Sequence, residues 1–358
     1  MGPLLELYTG FLSIILIGLL GIRFLKPKEE KAAYRSNYSP KALVIVPCRG
    51  LDITLEKNLA SAKMQDYENF NIIGVVDTEK DPAVAVLKKV GINYIVSAPE
   101  LLHVFPNSSG KVRALTTAFE RFRNVDVYVV LDSDVQCSRN WLSMLVAPLA
   151  DKSVGASTSF PYFRPMGGFW SKVKSVWGLV GNGLMENKKT RFAWGGSMAF
   201  RKSLITKKFI KAFGDSVSDD IMITKEVKRK KLKVAYVKDI ATVNSYDDFP
   251  MFFEWSNRQT ALSALEYRKN LKVGIIFYSA RILLMASALV LAYYISILYA
   301  VFFAPLLLNI AAALKKPKEI YPSFLFILLF IDFIYLINLV LAIRTTSITW
   351  RGRKYRLL

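Results

Sequence analysis

Two aspartates separated by one residue, Asp132 and Asp134, follow the apolar run Val127–Leu131. The run predicts a buried strand, and ligands bind at the carboxyl ends of the strands in an open α/β sheet. Residues two apart on an extended chain point to one side, so both carboxylates could serve one site. Carboxylates in an apolar setting repel each other unless a cation lies beside them. Mg²⁺ or Mn²⁺ suits these oxygen ligands and would hold a diphosphate. An aspartate that caps the next helix is an equally common explanation of the pattern.

Further polar residues occupy comparable positions along the chain. Asp77 and Asp52 each follow a predicted strand, and Lys111 and Arg113 lie at the start of a predicted helix. Free backbone N–H groups at a helix start favour a diphosphate, and basic side chains strengthen its binding. Simple surface charge explains either basic residue taken singly. Together these residues predict a site for an anionic ligand near Asp132.

Asp219 and Asp220 precede the helical pattern at 221–229. One of them could be only a helix N-cap. The other is our candidate for a general base that takes the proton of an attacking hydroxyl. The chain has a single histidine, His103, so a carboxylate is the expected base. Its pKa should be raised by burial or by neighbouring acids if it works near neutral pH.

The elements that must position these residues form an α/β pattern. Continuous apolar strands that alternate with helices predict a mostly parallel sheet covered on both faces. The predicted strands are 43–46, 71–76, 92–96, 127–131 and 154–158, and the predicted helices between them are 52–65, 81–90 and 111–123.

Apolar segments at both ends of the chain predict membrane spans. Residues 4–25 would extend about 33 Å as a helix, which is enough to cross a bilayer once. Basic residues follow directly, so the positive-inside rule places the next domain in the cytoplasm. Near the other end, residues 275–314 and 321–343 allow two or three spans, and the basic tail favours two.

The predicted organisation follows from these segments. It comprises an anchor at 1–25, a basic linker at 26–40, a cytosolic domain at 41–249, an interfacial helix at 250–270, a membrane region at 271–343 and a basic tail at 344–358. Aromatic and basic residues at 167–187 and 251–255 suit a membrane interface, and ordinary core packing explains them equally well.

Composition narrows the possible partners. The net charge is +21, which suits anionic lipid or an anionic small substrate as well as nucleic acid. The apolar spans favour a membrane with anionic lipids, and we expect no nucleic acid. Two cysteines and one histidine are too few ligands for a Cys/His zinc site.

In this order the residues resemble the GT-A fold of inverting, nucleotide-sugar-dependent glycosyltransferases of the family 2 and 21 type, most closely the ceramide glucosyltransferase group. The resemblance covers nearly the whole chain. The matching motifs are Val46-Pro-Cys-Arg-Gly-Leu-Asp52, Val76-Asp77 with Asp81-Pro82, Asp132-Ser133, Trp194-Gly-Gly-Ser-Met198 with Arg201-Lys202, Asp219-Asp220, and Ile348-Thr-Trp-Arg-Gly-Arg-Lys-Tyr-Arg-Leu357.

The residue patterns and the resemblance together predict a role for each candidate residue. The donor site would comprise Asp52, Asp77, Lys111, Arg113, Asp132 and Arg258, with Mg²⁺ or Mn²⁺ on Asp132 and Asp134 and a UDP-sugar as the favoured donor. Asp220 would be the base, with Asp219 beside it. Contacts to the acceptor or the diphosphate are assigned to Trp194, Gly195, Gly196, Trp255, Trp350, Arg351 and Arg353. A lipid is the implied acceptor.

One departure from the family pattern concerns the acceptor. The family carries a Gln/Arg-x-x-Arg-Trp motif near the membrane, and the matching stretch here, Trp255-Ser-Asn-Arg258-Gln259, keeps only Arg258. The change argues against ceramide as the acceptor. It also argues against a processive polysaccharide synthase, which is the alternative enzyme. A non-catalytic membrane scaffold or nucleic-acid-binding protein would not depend on Asp132, Asp134 or Asp220.

Overall fold

The computed structural model describes residues 2–24, 38–266, 268–314, 321–350 and 352–357. The predicted linker lies outside the described residues except for 38–40, and Arg351 also lies outside them. The strands are β1 Ala42–Cys48, β2 Phe70–Val76, β3 Asn93–Val96, β4 Val127–Leu131, β5 Val135–Cys137, β6 Val154–Thr158, β7 Tyr162–Pro165, β8 Ser197–Arg201, β9 Lys233–Tyr236, β10 Ala241–Ser245, β11 Ser347–Trp350 and β12 Arg353–Arg356.

The α-helices are α1 Pro3–Phe24, α2 Leu55–Lys63, α3 Ala83–Val90, α4 Leu101–Val104, α5 Gly110–Arg121, α6 Trp141–Val146, α7 Phe169–Trp177, α8 Leu179–Glu186, α9 Lys207–Gly214, α10 Asp219–Arg229, α11 Phe249–Glu266, α12 Arg268–Tyr294, α13 Ala304–Ala313 and α14 Ser323–Arg344. Short 3₁₀ turns occupy Ala147–Ala150, Lys202–Leu204 and Ile297–Phe303.

A seven-stranded sheet in the order β3-β2-β1-β4-β8-β6-β9 forms the centre of the domain. Its strands are parallel except at β8, which runs antiparallel to both β4 and β6. A smaller sheet has the order β5-β10-β7, and β11 and β12 form an antiparallel hairpin. The predicted α/β fold with a mostly parallel sheet is therefore confirmed, whereas β8 was not predicted.

The continuous apolar strands are explained by cores on both faces of the sheet. Alternate residues of β1 point to opposite faces: Val44 and Val46 pack with α2, α3 and α6, whereas Leu43 and Ile45 pack with α5, α9 and α10. Because both faces are covered, almost every residue of β1 and β4 is apolar and buried.

Three helices of the described residues are long and apolar enough to cross a membrane, judged by length and composition: Pro3–Gly21, Leu271–Tyr294 and Ser323–Arg344. The apolar run at 275–314 is divided. Helix α12 ends at Tyr294, and the shorter apolar segment Ile297–Ala313 follows it.

The aromatic stretch at 167–187 packs against the last long helix. Val173 and Trp177 of α7 and Phe252 of α11 form one buried cluster with Phe324 and Ile331 of α14. The C-terminal hairpin packs beside this assembly, because Ile348 is buried among apolar residues of α11, α12 and α14. The domain is thus joined to the apolar helices by packed side chains.

Candidate active site

A cavity of about 440 Å³ opens at the carboxyl ends of the central strands. Asp77 directly follows β2 and Asp132 directly follows β4, so both carboxylates face one space. The starts of α5 and α10 contribute Lys111 and the pair Asp219 and Asp220 to the same cavity. The fold therefore collects acidic and basic side chains from four separate parts of the chain.

Lys111 lies at the centre of this cluster. Its Nζ is 2.7 Å from Asp132 Oδ1 and 3.1 Å from Asp219 Oδ2, and it donates a hydrogen bond of 3.1 Å to Gly195 O. Burial alone would lower the pKa of Lys111, but the carboxylates of Asp132 and Asp219 outweigh that effect and raise the pKa. The ammonium is therefore a fixed positive charge. It joins the Asp132 carboxylate, at the end of β4, to the Asp219 carboxylate, at the start of α10.

The two carboxylates of α10 occupy its first turn. The N-cap is Ser218, whose hydroxyl accepts from Ile221 N, so neither aspartate is the cap. Burial raises the pKa of Asp219, with Lys111 opposing the rise and Asp220 adding to it. Burial also raises the pKa of Asp220, against the opposing effects of the Ser218 hydroxyl and Lys111. A raised pKa makes a carboxylate a stronger base, which suits this pair to accepting a proton.

The two glycines before β8 leave the space that this cluster needs. A Cβ on Gly195 would lie 2.9 Å from Lys111 Nζ and would collide with the Asp219 carboxylate. A Cβ on Gly196 would collide with the indole ring of Trp194. A larger residue at either position would therefore displace these side chains.

Asp132 and Asp134 flank a tight turn between β4 and β5. Ser133, at its centre, donates a 2.6 Å hydrogen bond to Asp52 Oδ2, and its carbonyl accepts from Asn58 Nδ2 at 2.9 Å. The chain is turning here, so the shared location of the carboxylates comes from the turn and not from an extended strand. Asp52 is not among the residues that line the cavity, and its contact instead fixes the turn.

The donor atoms at this turn fit a divalent cation. Asp132 and Asp134 both line the cavity, although the described residues contain no group of three or more His, Cys, Asp or Glu side chains that could hold a metal. Mg²⁺ commonly binds through one or two carboxylates and completes its coordination with substrate phosphates and water. Two carboxylates beside a diphosphate would therefore suffice.

Asp77 is surrounded by guanidinium groups. Arg113 Nη2 lies 2.8 Å from Asp77 Oδ1, while Arg49 Nε and Arg353 Nη1 lie 3.5 and 3.3 Å from Oδ2. Arg113 is buried behind the wall, whereas Arg353 reaches Asp77 from the C-terminal hairpin. Asp77 therefore holds basic side chains from three separate parts of the chain at one end of the cavity.

The opposite end of the cavity is aromatic. The rings of this aromatic wall are Trp194, Phe160, Phe163, Trp255 and Trp177, whose successive centroids are 5.6, 6.0, 5.1 and 4.9 Å apart. Trp177 Nε1 donates a 3.0 Å hydrogen bond to Asn338 Oδ1 of α14. The aromatic wall thus extends from the carboxylate cluster to α14, which is a long apolar helix.

Most of the predicted site residues meet at this cavity. The predicted residues that line it are Asp77, Lys111, Asp132, Asp134, Trp194, Gly195, Gly196, Asp219, Asp220, Trp255, Arg258 and Trp350. Asp52, Arg113 and Arg353 contact lining residues from behind or beside the wall. The guanidinium of Arg258 lies 5.5 Å from the centroid of the Trp350 ring.

Three further residues line the cavity without being predicted as site residues from the sequence: Tyr355, Lys225 and Lys228. Tyr355 lies within the tail motif, and its alternation with Arg353 along a strand was the feature that could have identified it. Lys225 and Lys228 lie three residues apart on α10, so they share a helix face, and only the location of α10 reveals which face lines the cavity.

Comparison with one solved structure supports the fold. A mannosyltransferase from Pyrobaculum calidifontis, solved with GDP-Man and Mn²⁺, is similar over 92% of this chain and 97% of its own, with 18% identity and a TM-score of 0.56. A glucosyl-3-phosphoglycerate synthase from Mycobacterium tuberculosis, solved with Mn²⁺, UDP and glucosyl-3-phosphoglycerate, matches over 62% of this chain and 81% of its own, with 16% identity and a TM-score of 0.42. No curated protein sequence matches this chain.

The family assignment comes from the sequence as a whole. The model of glycosyl transferase family 21 matches residues 9–358, which is almost the entire chain. The match includes the carboxylate cluster, the apolar helices and the C-terminal hairpin. The prediction of an enzyme is thereby confirmed over the non-catalytic alternatives. The chain belongs to glycosyl transferase family 21, an inverting, nucleotide-sugar-dependent family of glycosyltransferases.

Proposed function

We propose that this enzyme transfers a sugar from a nucleotide-sugar donor to a lipid acceptor at a membrane surface. The observation that carries the proposal is a single cavity with two different ends. One end holds the charged cluster around Lys111, and the other is the aromatic wall, which continues through Trp177 to Asn338 of α14. A charged donor and an apolar acceptor suit these two ends.

The donor would bind at the charged end, with Asp77 beside the nucleoside and Lys111 beside the diphosphate. Asp132 and Asp134 would hold Mg²⁺ or Mn²⁺, which supplies positive charge to the departing diphosphate. Mn²⁺ accompanies GDP-Man in the structure of the Pyrobaculum mannosyltransferase. UDP-sugars are the favoured donors because the tail motif resembles that of the ceramide glucosyltransferase group.

Asp220 is the proposed base, and Asp219 is the proposed positioning residue. Asp219 is engaged by Lys111, whereas the Asp220 carboxylate contacts Ser218 Oγ and accepts a 2.7 Å hydrogen bond from Ile221 N. Asp220 would take the proton of the acceptor hydroxyl as its oxygen bonds to the anomeric carbon. The bond from that carbon to the diphosphate oxygen breaks, and its electron pair leaves with the diphosphate. One in-line displacement inverts the anomeric carbon.

The acceptor would enter along the aromatic wall from the membrane side. Apolar rings beside α14 suit an alkyl chain, and the lipid hydroxyl would then point towards Asp220. Only Arg258 remains of the family motif at this end, so we propose a lipid acceptor other than ceramide. The basic segment after α1 supports a cytoplasmic location for the catalytic domain.

The proposal is tested with the full chain in vesicles that contain ceramide, diacylglycerol or a long-chain alcohol. A panel of radiolabelled UDP- and GDP-sugars is added with Mg²⁺, with Mn²⁺ or with a chelator. We expect label in the lipid extract for one donor, dependent on metal and greatest with an acceptor other than ceramide. Label that accumulates only as free sugar, or as a polymer of many sugars, would contradict the proposal.

A further inference from the structure

We propose that the C-terminal hairpin, β11–β12, is part of the donor-binding site, and that Arg353 and Tyr355 contact the phosphates of the nucleotide. The inference rests on the proposed location of the donor at Asp77 and Lys111, and it adds residues from the far end of the chain to that site. Tyr355 thereby receives a role in donor binding, and Arg353 is assigned to the donor phosphates and not to the acceptor.

The alternation of β12 places two side chains on its inner face, of which Tyr355 lines the cavity and Arg353 contacts Asp77 beside it. Arg353 and Tyr355 are two apart and partly buried, whereas Lys354 and Arg356 are exposed on the other face. Across the turn, Trp350 of β11 also lines the cavity. One face of the hairpin is therefore a wall of the site, and the other faces outward.

The contacts of this face lie among the donor residues. Arg353 Nη1 is 3.3 Å from Asp77 Oδ2, and the Tyr355 hydroxyl accepts a 3.3 Å hydrogen bond from Gly110 N, beside Lys111. A tyrosine hydroxyl that accepts a hydrogen bond keeps its own proton to donate. Tyr355 can therefore donate to a phosphate oxygen while it remains on Gly110.

The guanidinium groups around Asp77 also favour a phosphate next to the nucleoside that Asp77 would contact. Arg49, Arg113 and Arg353 share a carboxylate that carries one negative charge. The carboxylate orients these planar guanidinium groups, and oriented guanidinium groups bind phosphate through paired hydrogen bonds. A nucleoside diphosphate entering this end would meet Arg353 already in place.

The packing of the hairpin makes this location stable. Ile348 is buried against α11, α12 and α14, and Leu357 N donates a 2.8 Å hydrogen bond to Thr346 O across the hairpin. The hairpin is therefore held by the burial of Ile348 and by this hydrogen bond, and its position does not depend on Arg353 alone.

The test measures binding of UDP and GDP, with Mn²⁺ present, to the full-length protein by calorimetry. We expect R353Q to weaken binding of the preferred diphosphate about tenfold, since it removes a charged hydrogen-bond donor. Y355F, which removes only the hydroxyl, should weaken it about fivefold. The matched controls K354Q and R356Q remove the same charge from the outward face and should bind like the wild type.

A second titration with the corresponding nucleoside separates phosphate contact from structural damage. Nucleoside binding should be the same in R353Q, Y355F and the wild type. The inference is overturned if R353Q and Y355F bind the diphosphate as the wild type does, or if they weaken the nucleoside by the same factor. If the wild type binds neither diphosphate, the proposed donor site fails as well, so the two failures are distinguishable.

Discussion

At the scale of single residues, one lysine organises the reactive carboxylates. The sequence predicts Lys111 as a contact of the diphosphate, whereas the structure also places its Nζ between Asp132 and Asp219. That arrangement explains how several carboxylates share a small cavity, because a fixed cation offsets their repulsion. Asp220 is left beside this ion pair with a raised pKa.

The raised pKa of Asp220 predicts the acid side of the pH–rate profile. Below that pKa the carboxyl group is protonated and accepts no proton, so transfer should fall as the pH falls. The acid limb of kcat/KM should therefore lie above the ordinary aspartate value of about 4. Nucleotide binding over the same pH range is the control. An acid limb at about 4, or a profile without one, would contradict the assignment of Asp220.

At the scale of elements, the strands that the sequence predicts are those whose apolar pattern lies within one short segment. The runs that became β1, β2 and β4 are continuous and apolar because both faces of the sheet are covered. Strand β8 follows a glycine pair, and the sequence predicts a family motif there but no strand. Hairpin β11–β12 is rich in basic residues, and its formation depends on burial of Ile348 against helices far away in sequence.

The candidate site, too, could be predicted only in part from the sequence. Residue type and position, at strand ends for Asp77 and Asp132 and at a helix start for Lys111, are sufficient to predict these three residues. Their contacts were not predictable, because Lys111 and Asp219 are distant in sequence and meet only when α5 and α10 lie at the same sheet edge. The close approach that requires Gly195 follows from that meeting.

Gly195→Ala tests whether this close approach is needed. The added methyl group would displace Lys111 or Asp219, and misplacement of reacting groups by about 1 Å can lower the rate about 100-fold. Gly183→Ala is the matched control, since a Cβ at Gly183 of α8 meets nothing within 4 Å. We expect kcat/KM to fall in the first variant and to be unchanged in the second. Equal activity in both would contradict the described packing.

The junction between α14 and the catalytic domain predicts a loss of stability. Asn338 accepts from Trp177 Nε1 and donates to Ser256 Oγ and Asn257 Oδ1. Asn338→Leu leaves the buried Trp177 Nε1–H without its acceptor, at a cost of about 1–3 kcal/mol. The thermal unfolding midpoint should fall, and transfer should fall with it because Trp177 lines the cavity.

Ile337→Val is the control for this junction, since Ile337 lies on an exposed part of α14. A small change at such a surface position should alter stability by less than about 0.5 kcal/mol. The described role of Asn338 would be wrong if Asn338→Leu and Ile337→Val unfolded at the same temperature.

At the scale of the whole molecule, the hairpin constrains the membrane topology. Arg353 contacts Asp77 of the catalytic domain, so we infer that the tail and the domain lie on the same side of a membrane. In that arrangement the chain between them crosses an even number of times. Helices α12 and α14 would provide two crossings, which agrees with the number favoured by the basic tail.

Cysteine labelling in sealed vesicles tests this topology. Single cysteines at Lys152, Ile295 and Lys354, in a chain whose Cys48 and Cys137 are replaced by alanine, are exposed to a membrane-impermeant maleimide. Lys152→Cys and Lys354→Cys should react from the same side, and Ile295→Cys, at the end of α12, from the other. Reaction of Lys152→Cys and Lys354→Cys from opposite sides would contradict the two-crossing arrangement.

The central claim is that Asp220, at the start of α10, is the base in sugar transfer to a membrane lipid. It is tested most directly by comparing wild type and Asp220→Asn in a single turnover, following labelled sugar from the donor into the lipid fraction. We expect the variant to bind the nucleotide as the wild type does and to transfer at least about 100-fold more slowly, since it has no carboxylate to accept the proton. Full transfer by Asp220→Asn would contradict the account.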